Sequence, residues 1–268
     1  MNKKTAFIIF WVLFVFGCCS IPTDVKVVPA QKHEELNLIN KLENSSVALM
    51  SLNNEDKQYD LFCAGVFVSS NLILTARHCG EDFIPLPENS NIDLTKPITS
   101  TEELIKILNI INQSPDFEKM IGVELGFKTF NEIDQKFTEE KKPKMAKIIK
   151  YDVKNDLLLL QTINYESNNF VSIAKNKGTI GEKIHIIGHP AGVEFTYFTG
   201  IVSGFLKEPE TERNYLHVTA PIFMGNSGGG AFDEDGKLIG ICSAFKPMVP
   251  SMAFFVGSEE INQFLFKN

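Results

Sequence analysis

Ser227 stands in the segment MGNSGGGAF, held between glycines ahead of an apolar run, and His78 closes the segment GVFVSSNLILTARHC. An alcohol and an imidazole in one chain can carry covalent acyl transfer, in which the hydroxyl attacks a carbonyl once a base has taken its proton. The attack creates an oxyanion, which needs donors. Gly225 has no Cβ, so the turn can aim the N–H groups of Gly225 and Ser227 into one pocket, the geometry that an oxyanion hole requires. A glycine-rich hairpin with an incidental serine fits the GxSxG pattern equally well, and the rest of the chain has to decide.

The order of the reactive residues narrows the choice. GxSxG is also the nucleophile elbow of α/β-hydrolases, whose histidine follows the serine. Here all five histidines, His33, His78, His185, His189 and His217, precede Ser227, which excludes that order. Two orders remain, with the aspartate after or before the histidine. Around Ser69, Ser70 and Asn71, two apolar β-branched runs read as a hairpin that delivers His78 from a strand end. Cys63 lies sixteen residues before Cys79 at the start of that hairpin, so a disulfide can staple the loop carrying the base. The third group must be a carboxylate that orients the imidazole. In KIIKYDVKNDLLLLQT, Asp156 opens a leucine run that reads as a buried strand, and it is the expected partner; Asp152, in a polar turn, is the alternative. A rival triad in the order Asp156, His189, Ser227 stays open as well.

In sequence order, TARHC, NDLLLL and GNSGGG resemble the trypsin-like, chymotrypsin-fold serine peptidases over roughly residues 45 to 268. The resemblance implies a triad of His78, Asp156 and Ser227, an oxyanion hole from the amides of Gly225 and Ser227, and a histidine-loop disulfide between Cys63 and Cys79. GKLIGICS looks like the strand after the nucleophile, whose serine, here Ser243, helps to hold the aspartate. GEKIHIIGHPAG followed by TGIVSGF is most similar to bacterial protease domains of the Deg/HtrA type, expected here without PDZ domains. Where zymogens of this family carry an aspartate before the nucleophile, this chain has Asn226, and it lacks an IVGG-like start. Activation by cleavage is therefore not expected.

Pro221 occupies the position at which tryptic members carry an acid. The pocket implied by the resemblance, Pro221, Ile222, Ser243, Ala244 and Phe245, with Ser251 and Met252 beyond, is apolar. Burying an unpaired charge there costs on the order of several kcal/mol. Cys242 replaces the histidine of glutamate-specific relatives, so cleavage is expected after small or medium apolar residues. The alternative is a catalytically silent or regulated chymotrypsin-fold lipoprotein that acts as a protein-binding module.

Such loops have to hang on strands. Short apolar or β-branched runs recur as SVALMSL, LFCAGVFVSS, LILTA, MIGVELGF, KMAKIIKY, LLLLQT, KIHIIGH, FTGIVSGF, YLHVTA, GGGAFD, KLIGICSAF and MAFFVG, with Asp235-Gly236 among the turns between them. The implied fold is all-β, two six-stranded antiparallel barrels, and 268 residues with 44% hydrophobic content suffice for one such unit. The spacing of Leu104, Ile107, Leu108 and Ile111 predicts a helix in an insertion at about 80–118, and SEEINQFLFKN predicts a capped, amphipathic terminal helix.

Lys3 and Lys4 precede AFIIFWVLFVFG, an apolar stretch of twelve residues. It is too short to span a bilayer and reads as the core of a signal peptide over residues 1–20. VFGC resembles a bacterial lipobox that would make Cys18 the lipidated first residue, with cleavage after Ser20 as the soluble outcome. Residues 21–44 then form a polar tether with one helix in KHEELNLINKLEN, and the domain proper begins at 45. A disulfide suits an exported bacterial envelope location, periplasmic or at the cell surface, while Cys242 reads as an inert core thiol. The net charge of −7 gives no support for nucleic-acid binding. His185 and His189 are four apart, but Gly188 and the β pattern argue against one helical face. Without HExxH or paired CxxC motifs, no metal or cofactor is expected, and the partners are protein or peptide substrates.

Overall fold

The computed structural model describes residues 30–83, 120–209, 211–246, 249 and 251–267. The leader with Cys18, and the insertion from residue 84 with its expected helix, lie outside the described residues. Each of the twelve apolar runs contributes a strand: β1 (Ser46–Leu52), β2 (Tyr59–Ser69), β3 (Leu72–Ala76), β4 (Glu124–Thr129), β5 (Lys144–Asp152), β6 (Leu157–Ile163), β7 (Lys183–Gly188), β8 (Thr196–Lys207), β9 (Asn214–Thr219), β10 (Gly230–Phe232), β11 (Leu238–Phe245) and β12 (Met252–Gly257). They close into two barrels, in the orders β1-β2-β3-β6-β5-β4 and β10-β11-β12-β9-β8-β7. All strand pairs within them are antiparallel, and closure leaves no strand edge to be paired by another chain.

Leu157, Leu158 and Leu160 of β6 are fully buried, in a cluster that also takes in Phe232, Leu238, Ile241 and Val256 of the second barrel. The apolar interior is thus continuous from one barrel to the other. A separate cluster of Ile184, Ile186, Val202, Val218 and Phe255 fills the second barrel alone.

Helices close both ends of the described chain. The helix expected in KHEELNLINKLEN, in the latter part of the 21–44 segment, is α1 (Ala30–Ser45). Leu38 and Leu42, one turn apart, turn to the core, and Leu42 is fully buried, which contributes about 2 kcal/mol by transfer from water. Glu35 pairs with Lys183 of β7, and Leu38 packs on the Gly236 turn, so α1 reaches the second barrel. The C-terminal helix, α2 (Ser258–Phe266), buries Ile261 and Phe264. Lys150 of β5 donates to the Phe264 carbonyl at 2.5 Å, so α2 reaches the first barrel, and a cation there complements the helix C-terminus. The cap read into Ser258 is not made. Its hydroxyl donates to the Asn176 carbonyl at 2.9 Å, and Gly257 occupies the N-cap position.

Candidate active site

His78 leaves β3 on a short 3₁₀ turn, Arg77–Phe83, with Cys79 bonded to Cys63 of β2. Closing a loop of this length contributes about 3 kcal/mol through the unfolded chain. Asp156 sits immediately before β6 with φ of 57°, a left-handed conformation that aspartate tolerates better than most residues. Its carbonyl accepts the Arg77 N–H at 2.9 Å, and its Oδ1 accepts the His78 N–H at 3.0 Å. Its Oδ2 lies 2.9 Å from His78 Nδ1 and accepts the Ser243 hydroxyl at 2.5 Å.

With Nδ1–H turned to a carboxylate, Nε2 is left as the basic nitrogen of the neutral ring. Burial pushes the Asp156 carboxyl up, but the bonds and charge of His78 and the Ser243 hydroxyl outweigh it and hold the group below its usual value. Asp152, the alternative carboxylate, is occupied elsewhere, accepting from the backbone and side-chain amides of Asn155.

Ser227 follows a turn at Phe223–Asn226 that is closed by the Asn226 N–H donating to the Phe223 carbonyl at 3.1 Å. Gly225, third in this turn, has φ of 93°, as a type II turn demands. A Cβ at Gly225 would lie 2.2 Å from the His189 carbonyl oxygen, so no side chain fits. The Asn226 amide also donates to Phe223 O, at 3.0 Å, a local tie that an uncharged side chain can make. The N–H groups of Asn226, Gly228 and Gly229 are bound inside the fold, whereas those of Gly225 and Ser227 have no protein acceptor among the described residues.

The serine loop docks across the barrel interface. The Ser227 carbonyl accepts the Ala64 N–H at 2.7 Å, and a Cβ at Gly228 would lie 2.0 Å from Thr75 Oγ1, three residues before His78. Neighbouring residues of β11 serve both partners: Cys242 pairs through its backbone with Gly228 and Gly229, while Ser243 binds Asp156. Cys242 itself is buried, and burial, with the Asp156 charge adding to it, pushes its thiol up to about 12.

Ile222, Phe245, Ser251 and Met252 line a cavity of about 400 Å³ beside the serine turn, together with Phe223 and Met224. Pro221 is exposed, and neither it nor Ala244 lines the cavity; Ser243 is committed to Asp156. A roomier hollow, about 620 Å³, is bordered by Glu182, Asp233 and Lys237 and contains none of the reactive residues.

His185 and His189 are structural in their surroundings. His185 bonds to the Tyr197 hydroxyl at 2.8 Å, and His189 is fully buried with both ring nitrogens engaged, which removes it as a rival base. Cys63, His78 and Cys79 bring three ligand-type atoms together, but the disulfide consumes both sulfurs. Sequence reasoning missed the buried ion pair of Lys128 with Glu194, whose only trace is a lysine in the apolar strand ELGFKT.

Residues 63–241 match the model of the trypsin-like peptidase domain. Over 126 residues the chain is 35% identical to a probable periplasmic serine endoprotease DegP-like of Brucella suis, covering 44% of this chain and 24% of that protein. A serine protease HtrA-like of Staphylococcus aureus is 29% identical over 147 residues, 48% of this chain and 19% of the relative. The chain thus spans about a quarter or less of the length of these relatives. In fold it is similar to the active form of the Rv3671c protease of M. tuberculosis, with a TM-score of 0.58 over 93% of each chain at 15% identity. The HtrA-type protease AlgW with a tripeptide gives 0.55 at 18% identity, over 86% of this chain and 63% of that one. With the family's model matched across more than half of its length, this chain belongs to the trypsin-like peptidases, and serine proteases of the Deg/HtrA type are among its relatives.

Proposed function

We propose that the chain is an exported serine endopeptidase that hydrolyses peptide bonds through an acyl-enzyme on Ser227. The observation that carries this reading is the Asp156 carboxylate, held from one side by His78 Nδ1 and from the other by Ser243. A carboxylate so placed fixes the tautomer of the base and stabilises its charged form, which is its role in acyl transfer. His78 takes the Ser227 proton as the hydroxyl attacks the carbonyl, and the Gly225 and Ser227 amides bind the oxyanion. His78 then protonates the leaving amine, and water, activated by the same imidazole, releases the acyl group.

The cavity beside the turn, apolar in most of its lining but with Lys246 among its walls, supports cleavage after small or medium apolar residues and disfavours a cation. Export to the bacterial envelope is in keeping with the disulfide and with the periplasmic relative, and a lipid at Cys18 would tether the domain. Labelling with a fluorophosphonate tests the reading. The folded protein is expected to label, and Ser227→Ala and His78→Ala to abolish labelling while His189→Gln retains a measurable signal. Labelling that persists in Ser227→Ala, or a peptide-library profile dominated by Lys, Arg or Glu, overturns the mechanism or the specificity respectively.

A further inference from the structure

The end of β7 and the loop that follows it press on the serine turn at three points. The His189 carbonyl abuts Gly225, the Ala191 N–H donates to the Met224 carbonyl at 2.8 Å, and Gly188 packs on the Asn226 amide. This loop is itself held in unfavourable backbone conformations: Ala191 has φ of 52° and Phe195 φ of 49°, which an aromatic residue adopts only where its surroundings dictate it. Those surroundings centre on the His189 ring. Its Nδ1 accepts the Phe195 N–H at 2.8 Å, its Nε2 donates to the Val47 carbonyl of β1 at 3.1 Å, and the Phe195 ring meets it edge-on at 4.8 Å.

We propose that His189 is a positioning residue for the oxyanion hole, tying the serine turn to the first barrel only while its ring is uncharged. The inference rests on the peptidase reading and deepens it by naming what fixes the donors. One neighbour is a donor and the other an acceptor, so only the neutral Nε2–H tautomer satisfies both. A proton on Nδ1 would face the Phe195 N–H, break that bond and free the loop from which Ala191 holds Met224. Among the described residues, the charged groups around the ring offer the cation no partner. Lys128 of β4 repels it, and Glu194 of the loop is paired with Lys128 and with the Asp134 N–H. Burial, opposed by the Val47 bond and reinforced by Lys128, lowers the ring to about 4.

The test compares His189→Phe, which keeps a ring and loses both bonds, with His189→Gln, which keeps an uncharged donor toward Val47. His189→Phe is expected to lower kcat about 100-fold with KM within about two-fold, the size of effect seen when an oxyanion donor is lost. His189→Gln is expected to regain at least about ten-fold of that loss. On acidification, log kcat/KM of the parent chain steepens from slope one to slope two, and that of His189→Gln stays at one. Hydrogen exchange on the resting proteins needs no turnover: in His189→Phe, residues 189–195 and 223–228 lose protection while β5 and β8 keep theirs. Parent-like kcat in His189→Phe, a loss confined to KM, parent-like steepening in His189→Gln, or unchanged protection overturns the inference. Turnover that survives Ser227→Ala would instead sink the peptidase reading and leave the exchange result standing by itself.

Discussion

The loop that carries His78 is fastened mostly to its own barrel, by the Cys63–Cys79 bond and by Asp156, which holds the 77–78 backbone and the ring together. The turn that carries Ser227 has no covalent tie, and its supports are backbone hydrogen bonds and close packing from Ala64, Thr75, His189 and Ala191. Covalent and charge-assisted ties survive small displacements, whereas packing against a glycine Cα fails as soon as an atom is added. On the proposed assignment of base and nucleophile, the His78 side is therefore the part that chemistry disables, and the Ser227 side the part that sterics and protonation disable.

Asp156→Asn breaks the base side most severely, since an amide can fix the wrong tautomer while leaving the shape intact. Peptidase activity is expected to fall about 10⁴-fold with the melting temperature little changed, read by steady-state kinetics and calorimetry. On the nucleophile side, Gly228→Ala puts a Cβ against Thr75 Oγ1 and the Ala64 carbonyl in a residue with φ of 79°. Backbone strain and overpacking together cost about 4 kcal/mol, so activity and stability fall together, the opposite pattern to Asp156→Asn.

Replacing Cys63 and Cys79 together by serine removes the covalent tie alone and is expected to cost about 3 kcal/mol in denaturant unfolding. The last effect is a matter of pH. His189 titrates at about 4 in the folded chain and near 6.5 when unfolded, so between those values the unfolded chain binds the extra proton and stability falls as pH falls. Unfolding free energy is expected to drop by about 2 kcal/mol from pH 7 to pH 5 through this residue, a component that His189→Gln removes. Equal pH slopes in parent and variant would return His189 to the status of ordinary packing.

The strands could be read, and candidates for the reactive residues named, because each has a local signature. Short apolar or β-branched runs between turn residues mark the barrels, and a serine among glycines or a histidine beside a cysteine stands out within a few residues. What could not be read depends on contacts distant in sequence. The partner of Lys128 lies 66 residues away, and the acceptor of the His189 ring lies 142 residues away. The His189 ring could therefore be weighed only as part of a metal pair or as a rival base, because nothing local tells that Val47 and Phe195 will occupy both ring nitrogens. KHEELNLINKLEN looks like a polar spacer because two leucines on one face are enough to dock α1, too few to dominate its composition. Position in the chain suggests Pro221 and Ala244 for a pocket, whereas the cavity beside the serine turn is walled by residues that include Phe223 and Met224 of the turn itself.

Leu42 near one end of the folded chain and Phe264 near the other share a single cluster of side chains. The first becomes available to fold before the second, so the early half has to wait with part of its seam uncovered until α2 arrives. Neither half is finished without the other's terminus, and the molecule should melt as one body. Trimming the carboxyl end would then lower a single transition, where two self-sufficient halves would leave one melting as before.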